Sequence, residues 1–344
     1  MPDDQIAVVI VTHRSADKVQ PVLEGVSAQL VSGDELVVVD NASPDGTAAA
    51  VRAAAPEGLL LEQEANLGFA AGCNIGAAAS RAPLLLFLNP DARPEVGCLD
   101  ALRRVAHERP AWGAWQALVT MEDGKTINTA GNVLHYLGMG WAGRCGQPLS
   151  SAPDAPSEVG FASGAALLVR REDWDRLGGF DERYFMYGED LDLGLRLWLA
   201  GRGVGVAPAA RVEHDYEFTK GGQKWFLLER NRWWTVLGSY PAPVLALVTP
   251  PLLLCELAVI LLAMRDGWLH EKLRAQMAVL RDLRSILERR RRIQATRKVS
   301  AGEFASRLSA DLDSPYLAGV GVLPALPALQ HAYWARVQRL LDRP

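Results

Sequence analysis

Short apolar runs alternate with amphipathic segments between residues 6 and 89. The apolar runs are rich in leucine and β-branched residues, which predicts strands buried on both faces. They are IAVVIVT (6–12), ELVVVD (35–40), LLLEQE (59–64) and LLLFLN (84–89). The intervening segments predict helices over about 15–29, from Thr47 to just before Pro56, and within 66–82. This βαβαβαβ order predicts the α/β class, with a doubly wound, mostly parallel sheet.

The pattern is looser between residues 111 and 214. TMEDGKTIN (120–128) predicts a hairpin, and a Gly- and Pro-rich stretch (138–160) predicts a loop. FASGAALLVRR (161–171) predicts another strand. Two short strands are expected after it, one around Val204–Ala207 and one that ends at His214.

The segment Phe180–Gly201 combines five carboxylates, among them Asp181, Glu189, Asp190 and Asp192, with the start of an apolar helix. From Asp190 onward apolar residues recur at helical spacing, and Gly201 stands where a C-terminal glycine cap is expected. Glu189 and Asp190 therefore lie at the helix N-terminus, where free backbone N–H groups and the macrodipole favour ionised carboxylates. An ionised carboxylate facing a cleft suits a general base for a hydroxyl group. The same pattern is also typical of a simple helix cap.

After Tyr240 the chain becomes apolar and then basic. Residues 242–264 carry one charge, Glu256, but Pro250-Pro251 divides them and leaves an uninterrupted run shorter than the roughly 20 residues needed to cross a bilayer. Residues 268–292 predict one basic amphipathic helix. Its apolar stripe comprises Leu269, Leu273, Met277, Leu280, Leu283 and Leu287. We interpret this region as an interfacial anchor on an anionic membrane surface, with a soluble helical subdomain or a homodimer face as the alternative.

Composition limits the class of protein. Hydrophobic residues make up 49% and charged residues 22% of the 344 residues, which is typical of a globular chain. The four cysteines form no CxxC pair, which argues against a zinc site or a disulfide framework. The N-terminus enters a strand pattern without a basic and apolar leader, which predicts no signal peptide.

Charge is distributed unevenly along the chain. Residues 1–220 carry 18 Lys and Arg against 30 Asp and Glu, whereas residues 221–344 carry 18 against 10. The basic rear suits an anionic lipid surface. No nucleic-acid-binding module accompanies it, so we expect no nucleic-acid partner.

Polar residues stand at each predicted strand end, where open α/β sheets bind ligands. Asp40 and Asn89 can bond a nucleotide base or ribose, and Asp91 is placed to hold a divalent metal that neutralises a diphosphate. Neither GxGxxG after the first strand nor GxxxxGK[ST] occurs, which argues against a dinucleotide-binding enzyme and a P-loop protein. Taken alone, Asn89-Pro90-Asp91 is equally typical of a β-turn.

Six ordered blocks of the sequence resemble the family 2 glycosyltransferases of the GT-A fold, in particular their bacterial rhamnosyltransferase-like branch. The blocks are VVIVTHRSADKVQPVLEGV, VVVDNASPDGT, NLGFAAGCNIGA, LLFLNPDARP, SGAALLVRRE and GGFDERYFMYGEDLDLGLRLWLAG. The resemblance covers about residues 5–240. It implies a catalytic domain over 1–240, and the apolar and basic pattern that follows predicts a helical membrane-associating region over 241–344. It also implies inverting transfer of a sugar from a nucleotide diphosphate.

The resemblance implies a donor site and a metal site. The donor-binding positions are Thr12, Arg14, Asp40, Asn66, Asn74, Asn89, Asp91 and Gly164. Asp91 belongs to the family's Asp-x-Asp metal motif, whose first position is Asn89 here. His214 matches a histidine that completes the metal site in some members. The implied cofactor is Mg²⁺ or Mn²⁺.

The resemblance also implies an acceptor side. Asp190 matches the catalytic base, and Glu189 beside it would orient the acceptor; Asp181, Asp192 and Arg196 are interpreted as structural. The basic residues that follow, Lys220, Arg230 and Arg232, are predicted to grip the diphosphate of a lipid-linked acceptor, with a solvated basic face as the alternative. Nearby aromatic residues predict an interfacial belt or core packing. They are Trp225, Phe226, Trp233, Trp234 and Tyr240.

The expected function is rhamnosyl transfer from dTDP-rhamnose to a polyprenyl-diphosphate-linked glycan in cell-surface polysaccharide synthesis. The expected location is the cytoplasmic face of the plasma membrane, as a peripheral or monotopic protein. Donors carrying galactofuranose or N-acetylglucosamine are alternatives. So is a non-catalytic, membrane-bound subunit of a glycan-assembly system.

Overall fold

The computed structural model describes residues 4–214, 221–312 and 326–342. The chain forms two compact units. Unit 1 comprises Met1–Asn132, Ala142–Leu197 and Arg202–Tyr216, and unit 2 comprises Val133–Trp141, Trp198–Gly201 and Glu217–Pro344.

The described residues contain strands β1 to β12. In chain order they are Ile6–Thr12, Glu35–Asp40, Leu59–Glu62, Leu84–Leu88, Arg93–Pro94, Trp112–Thr120, Ile127–Thr129, Asn132–Leu134, Gly140–Ala142, Ser157–Glu158, Ala166–Arg170 and Gly203–Glu213.

The same residues contain helices α1 to α12. In chain order they are Val19–Ser27, Thr47–Ala54, Phe69–Ala78, Cys98–Glu108, Arg171–Leu177, Glu189–Leu199, Gly221–Ser239, Ala242–Arg265, Leu269–Arg281, Leu283–Ala295, Ala301–Ser306 and Leu326–Leu341. Short 3₁₀ helices occur at Leu149–Ser151 and Glu182–Tyr184.

The predicted strands of the N-terminal half form the parallel part of one sheet in unit 1. Strands β4, β1, β2 and β3 lie side by side in that order, and their pairs are parallel. Because these strands share one direction, Thr12, Asp40 and Leu88 all stand at their carboxyl ends. The parallel arrangement predicted for these strands is confirmed, whereas the sheet as a whole is mixed.

The second part of the sheet mixes directions. Strand β11 is antiparallel to both β4 and β6, whereas β12 runs parallel to β6. The predicted hairpin is confirmed as β6 and β7. The two short strands expected before His214 are one strand, β12, interrupted by an irregularity between Ala207 and Arg211. The predicted strand 161–171 is confined to Ala166–Arg170, and helix α5 begins directly after it at Arg171.

Strand β1 is buried on both faces of the sheet, as its sequence predicts. Ile6, Val8 and Ile10 join the core cluster that includes α1 and α4. Val9 and Val11 face helix α3 on the opposite side. A Cβ added at Gly76 would lie 2.3 Å from the Val9 side chain, and one at Gly72 would lie 2.6 Å from Val11. Glycine at these positions lets α3 approach the sheet closely.

Unit 2 is helical, and α7 packs against α9 and α10. The division between units therefore assigns residues 221–240 to the helical unit, whereas the sequence placed them in the catalytic domain. Buried aromatic contacts join distant segments of this unit. The Tyr136 and Trp334 rings stack with centroids 4.7 Å apart, and the Tyr240 hydroxyl donates to the His135 carbonyl. Tyr240 and Trp234 are buried, so these two rings are core residues.

Helix α8 corrects the expectation that Pro250-Pro251 divides the apolar segment. It runs without interruption through both prolines. Proline cannot donate a backbone hydrogen bond, so the carbonyl of Leu247 loses its partner at Pro251. The Tyr333 hydroxyl donates to that carbonyl instead. By length and composition alone, α8 is long and apolar enough to cross a membrane.

The predicted basic helix 268–292 is two helices, α9 and α10, which meet at Asp282. The faces that these helices bury include Lys272, Ala275, Ala278, Ile286 and Arg289. Five leucine and methionine side chains of the predicted stripe are exposed instead. They are Leu273, Met277, Leu280, Leu283 and Leu287.

Candidate active site

The carboxyl ends of β1 and β2 form a polar cradle around Asp40. The Thr12 hydroxyl donates to Asp40 Oδ1 over 2.8 Å, and the Ser43 backbone N–H donates to Oδ2 over 3.1 Å. The Ser43 hydroxyl also donates to Oδ1. Asp40 is 3% exposed, and these bonds fix its carboxylate in one orientation.

The loop after β1 adopts an unusual backbone at Arg14, whose φ is +55°. Left-handed backbone is uncommon for residues other than glycine, and it is enriched at functional sites. The Arg14 N–H donates to the Ser43 hydroxyl over 3.0 Å, while its side chain is exposed at the strand ends. Arg14 therefore lies next to the Asp40 cradle, as its predicted donor-binding role requires.

Gly68 joins the strand ends to the segment before α6. The Asn41 amide donates to the Gly68 carbonyl over 3.0 Å, and Asn66 Oδ1 accepts the Gly68 N–H over 2.9 Å. Gly68 has a φ of +89°, and an added Cβ would lie 2.5 Å from the Phe185 carbonyl oxygen. That same oxygen accepts the N–H of Ala70, the second residue of α3.

Asn89, Asp91 and His214 converge beyond the ends of β4 and β12. His214 Nε2 lies 3.1 Å from Asp91 Oδ1 and 3.5 Å from Asn89 Nδ2. The His214 backbone is held on both sides, since its N–H donates to the Thr120 carbonyl and its carbonyl accepts from Asn128. His214 is buried, so its ring has a fixed position.

Asp91 and His214 carry groups that can bind a divalent metal, whereas the neighbouring Asn89 turns its Nδ2 towards the imidazole. Carboxylate and amide oxygens and an imidazole nitrogen are donors that Mn²⁺ accepts, and carboxylate oxygen suits Mg²⁺. Burial opposes ionisation of Asp91, but the bond and charge of His214 outweigh it, and the pKa of Asp91 lies below its ordinary value. Among the described residues no group of three His, Cys, Asp or Glu could hold a metal ion.

Asp190 is held in the first turn of α6. Its Oδ2 accepts the Gly164 N–H over 2.9 Å and its Oδ1 accepts the Leu191 N–H over 2.7 Å. A Cβ at Gly164 would lie 3.3 Å from the Phe69 ring and 3.7 Å from Asp190 Oδ2. Next to Gly164, the Ala165 carbonyl accepts the Asn89 N–H over 3.0 Å. The predicted base and the predicted metal-binding residues are thus joined through one short backbone path.

The electrostatics of Glu189 and Asp190 differ from the sequence expectation. Burial raises the pKa of Asp190, although the Gly164 and Leu191 N–H groups partly oppose this. Burial and then the charge of Asp190 raise the pKa of Glu189 well above its ordinary value. At both residues, desolvation outweighs the stabilisation of the charged form that a helix N-terminus provides.

The other carboxylates of this segment form structural contacts, as predicted. Asp192 is fully buried and accepts from Arg196 over 2.8 Å. Arg196 in turn donates to the carbonyls of Leu177 and Gly179. Asp181 caps the 3₁₀ helix at Glu182–Tyr184.

Comparison with known proteins identifies the family. Residues 7–175 match the model of Glycosyl transferase family 2, and residues 151–220 match one described as the N-terminal domain of galactosyltransferase. An N-acetylglucosaminyl-diphospho-decaprenol L-rhamnosyltransferase of Mycobacterium tuberculosis (strain ATCC 25618 / H37Rv) is 34% identical over 243 residues, which cover 63% of this chain and 78% of that protein. The chain belongs to glycosyltransferase family 2. Rhamnosyltransferase WbbL of Escherichia coli (strain K12) is 48% identical over 56 residues, 16% of this chain and 21% of that protein.

Solved structures confirm the GT-A fold of this family 2 glycosyltransferase. GalNAc-T7, solved with UDP, GalNAc and Mn²⁺, gives a TM-score of 0.54 at 16% identity over 69% of this chain and 48% of that one. Residues 1–349 of S. aureus TarS, solved with UDP-GlcNAc, give a TM-score of 0.50 at 14% identity over 97% of this chain and 88% of that one. The sequence resemblance to the bacterial rhamnosyltransferase branch is also confirmed.

Asn74 of the glycosyltransferase has a structural contact that the sequence did not predict. Its amide donates to the Phe180 carbonyl over 2.9 Å, and its Oδ1 accepts the Phe180 N–H over 3.0 Å. These bonds fasten α3 to the segment before α6. A donor contact by Asn74 stays a prediction.

Of the three residues predicted to hold an acceptor diphosphate, the structure describes two, Arg230 and Arg232. Arg232 is 8% exposed and donates to Glu229 over 3.0 Å and to Glu256 over 2.6 Å. Two carboxylates already balance its charge, which argues against the diphosphate role. Arg230 lies over the Phe226 and Trp234 rings. Lys220 lies outside the described residues.

Sequence reasoning missed two parts of the site. Ser43 completes the Asp40 cradle, and the spacing Asp40–Ser43 is typical of a side chain that bonds the backbone shortly after it. The contact between Gly68 and Phe185 joins residues far apart in the chain. No local pattern indicates such a contact.

Proposed function

We propose that this glycosyltransferase transfers L-rhamnose from dTDP-rhamnose to a hydroxyl of a lipid-linked glycan, with inversion at the anomeric carbon. The rhamnosyltransferase relatives support the sugar, and the M. tuberculosis relative is named for an N-acetylglucosaminyl-diphospho-decaprenol acceptor. The product would be a precursor of a cell-surface polysaccharide.

One structural observation carries the proposal. Asp190 bonds the Gly164 N–H, and the next residue, Ala165, bonds Asn89 of the Asn89–Asp91–His214 group. A candidate base and a candidate diphosphate-binding group are therefore held by adjacent residues of one chain segment. A transfer reaction needs this arrangement, because attack and departure occur on opposite sides of the same carbon.

The donor would lie along the strand ends. The Asp40 cradle and Arg14 would bind the nucleotide, and Asn66 and Gly68 would line the same edge. Asp91 and His214, with Asn89 beside them, would hold Mg²⁺ or Mn²⁺, and the GalNAc-T7 structure contains Mn²⁺. When bound, that ion would neutralise the diphosphate as it leaves.

Asp190 would act on the acceptor side. Its carboxylate would take the proton of the attacking hydroxyl as the new glycosidic bond forms and the bond to the diphosphate breaks. The Gly164 and Leu191 N–H groups orient the carboxylate. Because the hydroxyl attacks opposite the leaving group, the anomeric configuration inverts.

The direct test is transfer by the purified chain with Mn²⁺ and an N-acetylglucosaminyl-diphospho-polyprenol acceptor. We expect product with dTDP-rhamnose and not with UDP-galactofuranose or UDP-N-acetylglucosamine. NMR of the product should show an anomer opposite to that of the donor. Transfer from another donor alone contradicts the sugar assignment, and a retained anomer contradicts the mechanism.

A lipid-linked acceptor also places the enzyme at a membrane. We propose that it works at the cytoplasmic face of the plasma membrane, attached through unit 2. The exposed leucines of α8, α9 and α10 support this location. A cell fractionation in which the full chain stays in the cytosol after lysis at low salt contradicts it.

A further inference from the structure

Three consecutive helices of unit 2 expose an unusual amount of apolar surface. Of the sixteen large hydrophobic side chains exposed among the described residues, ten belong to α8, α9 and α10. They form the apolar face: Leu253, Leu254, Leu257, Leu261, Met264, Leu273, Met277, Leu280, Leu283 and Leu287. On α8, Leu253, Leu257, Leu261 and Met264 recur at helical spacing and share one side. Helices α8 and α9 pack against each other, as do α9 and α10.

Cationic side chains accompany the apolar face. Residues 265–295 contain nine Lys and Arg against four Asp and Glu. Arg265, Arg281 and Arg284 expose 63%, 76% and 93% of their side chains. Apolar side chains beside exposed arginines fit a bilayer with anionic headgroups, because the acyl region takes the leucines and the headgroups take the charge. A second copy of this basic face would repel the first.

A buried charge cluster holds the opposite side of α8. Glu256 accepts from Arg232 of α7 over 2.6 Å and pairs with Lys272 of α9. Glu229 of α7 pairs with the same two cations. Lys272 is fully buried, and Glu256 also accepts from Gln276 over 2.6 Å. The charge cluster therefore fastens α8 to α7 and α9.

The charge cluster decides how α8 can meet a bilayer. If α8 crossed the membrane, Glu256 would enter the hydrocarbon either alone or with its partners. Alone, it would enter as an uncompensated charge and would leave Glu229 to balance two buried cations, Arg232 and Lys272, which is strongly unfavourable. Lys272 cannot follow, because α9 has 13 residues and spans only about 20 Å at 1.5 Å per residue, short of the hydrocarbon thickness. Arg232 cannot follow without further cost, because α7 would bring Lys224 and Arg230 into the hydrocarbon as well.

We infer that α8, α9 and α10 form one membrane-docking surface on which α8 lies in the plane of the bilayer and does not cross it. This inference deepens the proposed membrane location and rests on it. The apolar face enters the boundary between headgroups and acyl chains, while the charge cluster stays on the protein side.

Topology is tested with single cysteines in the full chain expressed in bacteria, with the four native cysteines replaced by serine or alanine. Ala242→Cys and Arg265→Cys mark the two ends of α8, and both positions are exposed. In inverted membrane vesicles, a membrane-impermeant maleimide should label both ends. In intact spheroplasts it should label neither. If one end of α8 is labelled only in inverted vesicles and the other end only in spheroplasts, α8 crosses the membrane and the inference is overturned.

Docking is tested with purified protein and vesicles of phosphatidylglycerol and phosphatidylcholine. Leu257→Asp with Leu261→Asp should weaken cosedimentation by about ten-fold or more, since both side chains leave the acyl boundary. The control is Leu329→Asp, an exposed leucine of α12 outside the apolar face, which should bind vesicles like the wild type. Equal binding by the double variant overturns the docking surface. The docking surface is also overturned if, without vesicles, the wild type is oligomeric and the double variant is monomeric.

A thermal shift with dTDP-rhamnose separates this inference from the proposed function. The double variant should keep the wild-type shift, because both substitutions are in unit 2, whereas the residues of the candidate active site belong to unit 1. A chain that binds vesicles but no nucleotide sugar contradicts the proposed donor and leaves the docking surface intact.

Discussion

Asp190 and Glu189 are neighbours in sequence, but their carboxyl groups differ in hydrogen bonding. Two backbone N–H groups support the Asp190 carboxylate. The Glu189 side chain is 5% exposed, and within the described chain its Oε2 has no hydrogen-bond partner. An unsupported buried carboxyl favours its neutral form, so we assign the negative charge of the pair to Asp190.

This assignment predicts opposite outcomes for two isosteric substitutions. Asp190→Asn removes the base and should lower kcat by about 10²–10⁴-fold. Glu189→Gln replaces one neutral group by another and should keep kcat within about ten-fold of the wild type. Both are measured by rhamnosyl transfer, with dTDP-rhamnose binding as the control for folding. A larger loss in Glu189→Gln than in Asp190→Asn would reverse the roles.

The raised pKa of Asp190 also predicts a pH profile. A base must be deprotonated, so activity is lost as pH falls through the pKa of Asp190. Because burial raises that pKa, the acid limb of kcat/KM should lie above the ordinary aspartate range near pH 4. A plateau in kcat/KM extending down to pH 4 is incompatible with a desolvated base.

His135 gives a second prediction at this scale. It is fully buried in unit 2, and burial lowers its pKa to about 4, while Asp311 and His331 act on it in opposite directions. Below pH 6.5 the unfolded state binds a proton that the folded state refuses, so stability is lost as pH falls from about 6.5 towards 4. At pH 5 the loss is about 2 kcal/mol.

His135→Asn keeps an acceptor for the Leu137 N–H but removes the titrating ring. The difference in unfolding free energy between pH 7.5 and pH 5 should therefore shrink by about 2 kcal/mol in this variant. His107→Asn, at an exposed position, is the control. An unchanged difference in His135→Asn would show that another group controls acid stability.

Individual residues show which contacts could be predicted from the sequence and which could not. The Thr12–Asp40 pair and the Asp190 helix start follow from local patterns, so they were predicted. Arg232 was interpreted as free to bind a ligand because its partner Glu256 is 24 positions away in the chain. Asn74 is similar, since its partner Phe180 is 106 positions away.

Among the elements, α3 and the segment before α6 depend on one glycine. Gly68→Ala should lower the melting temperature and kcat together, because its Cβ would displace the Phe185 carbonyl and with it the approach to Glu189. We expect a cost of about 1–3 kcal/mol from overpacking and backbone strain.

Gly97→Ala provides a matched control for this substitution. Gly97 also precedes a helix and has a φ of +83°, but an added Cβ would meet nothing within 4 Å. Gly97→Ala should lower the free energy of unfolding by about 1 kcal/mol through backbone strain alone, and it should not lower kcat. Equal effects of the two substitutions would assign the whole cost to backbone conformation.

Two elements show why the sequence pattern predicted the helices and strands only in part. Strand β6 is buried over all nine residues, so it lacks the alternation that identifies a strand, and its sequence WGAWQALVT is poor in β-branched residues. Helix α8 contains the strongest local signal for a break, Pro250-Pro251, yet Tyr333 satisfies the freed carbonyl from a distant helix. Tertiary contacts decided both cases.

The two structural units do not follow the domain boundary at residue 240 that the sequence predicts. Unit 2 contains the segments Val133–Trp141 and Trp198–Gly201 in addition to the C-terminal helices. Tyr136 stacks on Trp334, and the Trp198 ring meets Phe304 edge-on. The Lys298 N–H also donates to the Leu199 carbonyl over 2.7 Å. Residues of the C-terminal helical region therefore pack against Val133–Trp141 and Trp198–Gly201, which the sequence assigned to the catalytic domain.

A truncation after Tyr240 tests this division. It follows the boundary read from the sequence, but it removes the partners of Tyr136 and Trp198. We expect an aggregating product or a melting temperature at least about 10 °C lower, since several large buried rings lose their contacts. Light scattering and circular dichroism of the truncated and full chains measure this. A truncated chain that melts like the wild type would show that the first 240 residues fold alone.

The backbone link between Asn89 and Ala165 has a consequence for engineering. It directly follows the end of the ladder of β4 and β11, where Leu88 pairs with Ala166. The spacing between the candidate donor and acceptor groups is thus set by main-chain geometry and not by side-chain choice. A library that varies Asn89 or Arg14 is therefore expected to change which sugar is accepted before it changes the anomer of the product.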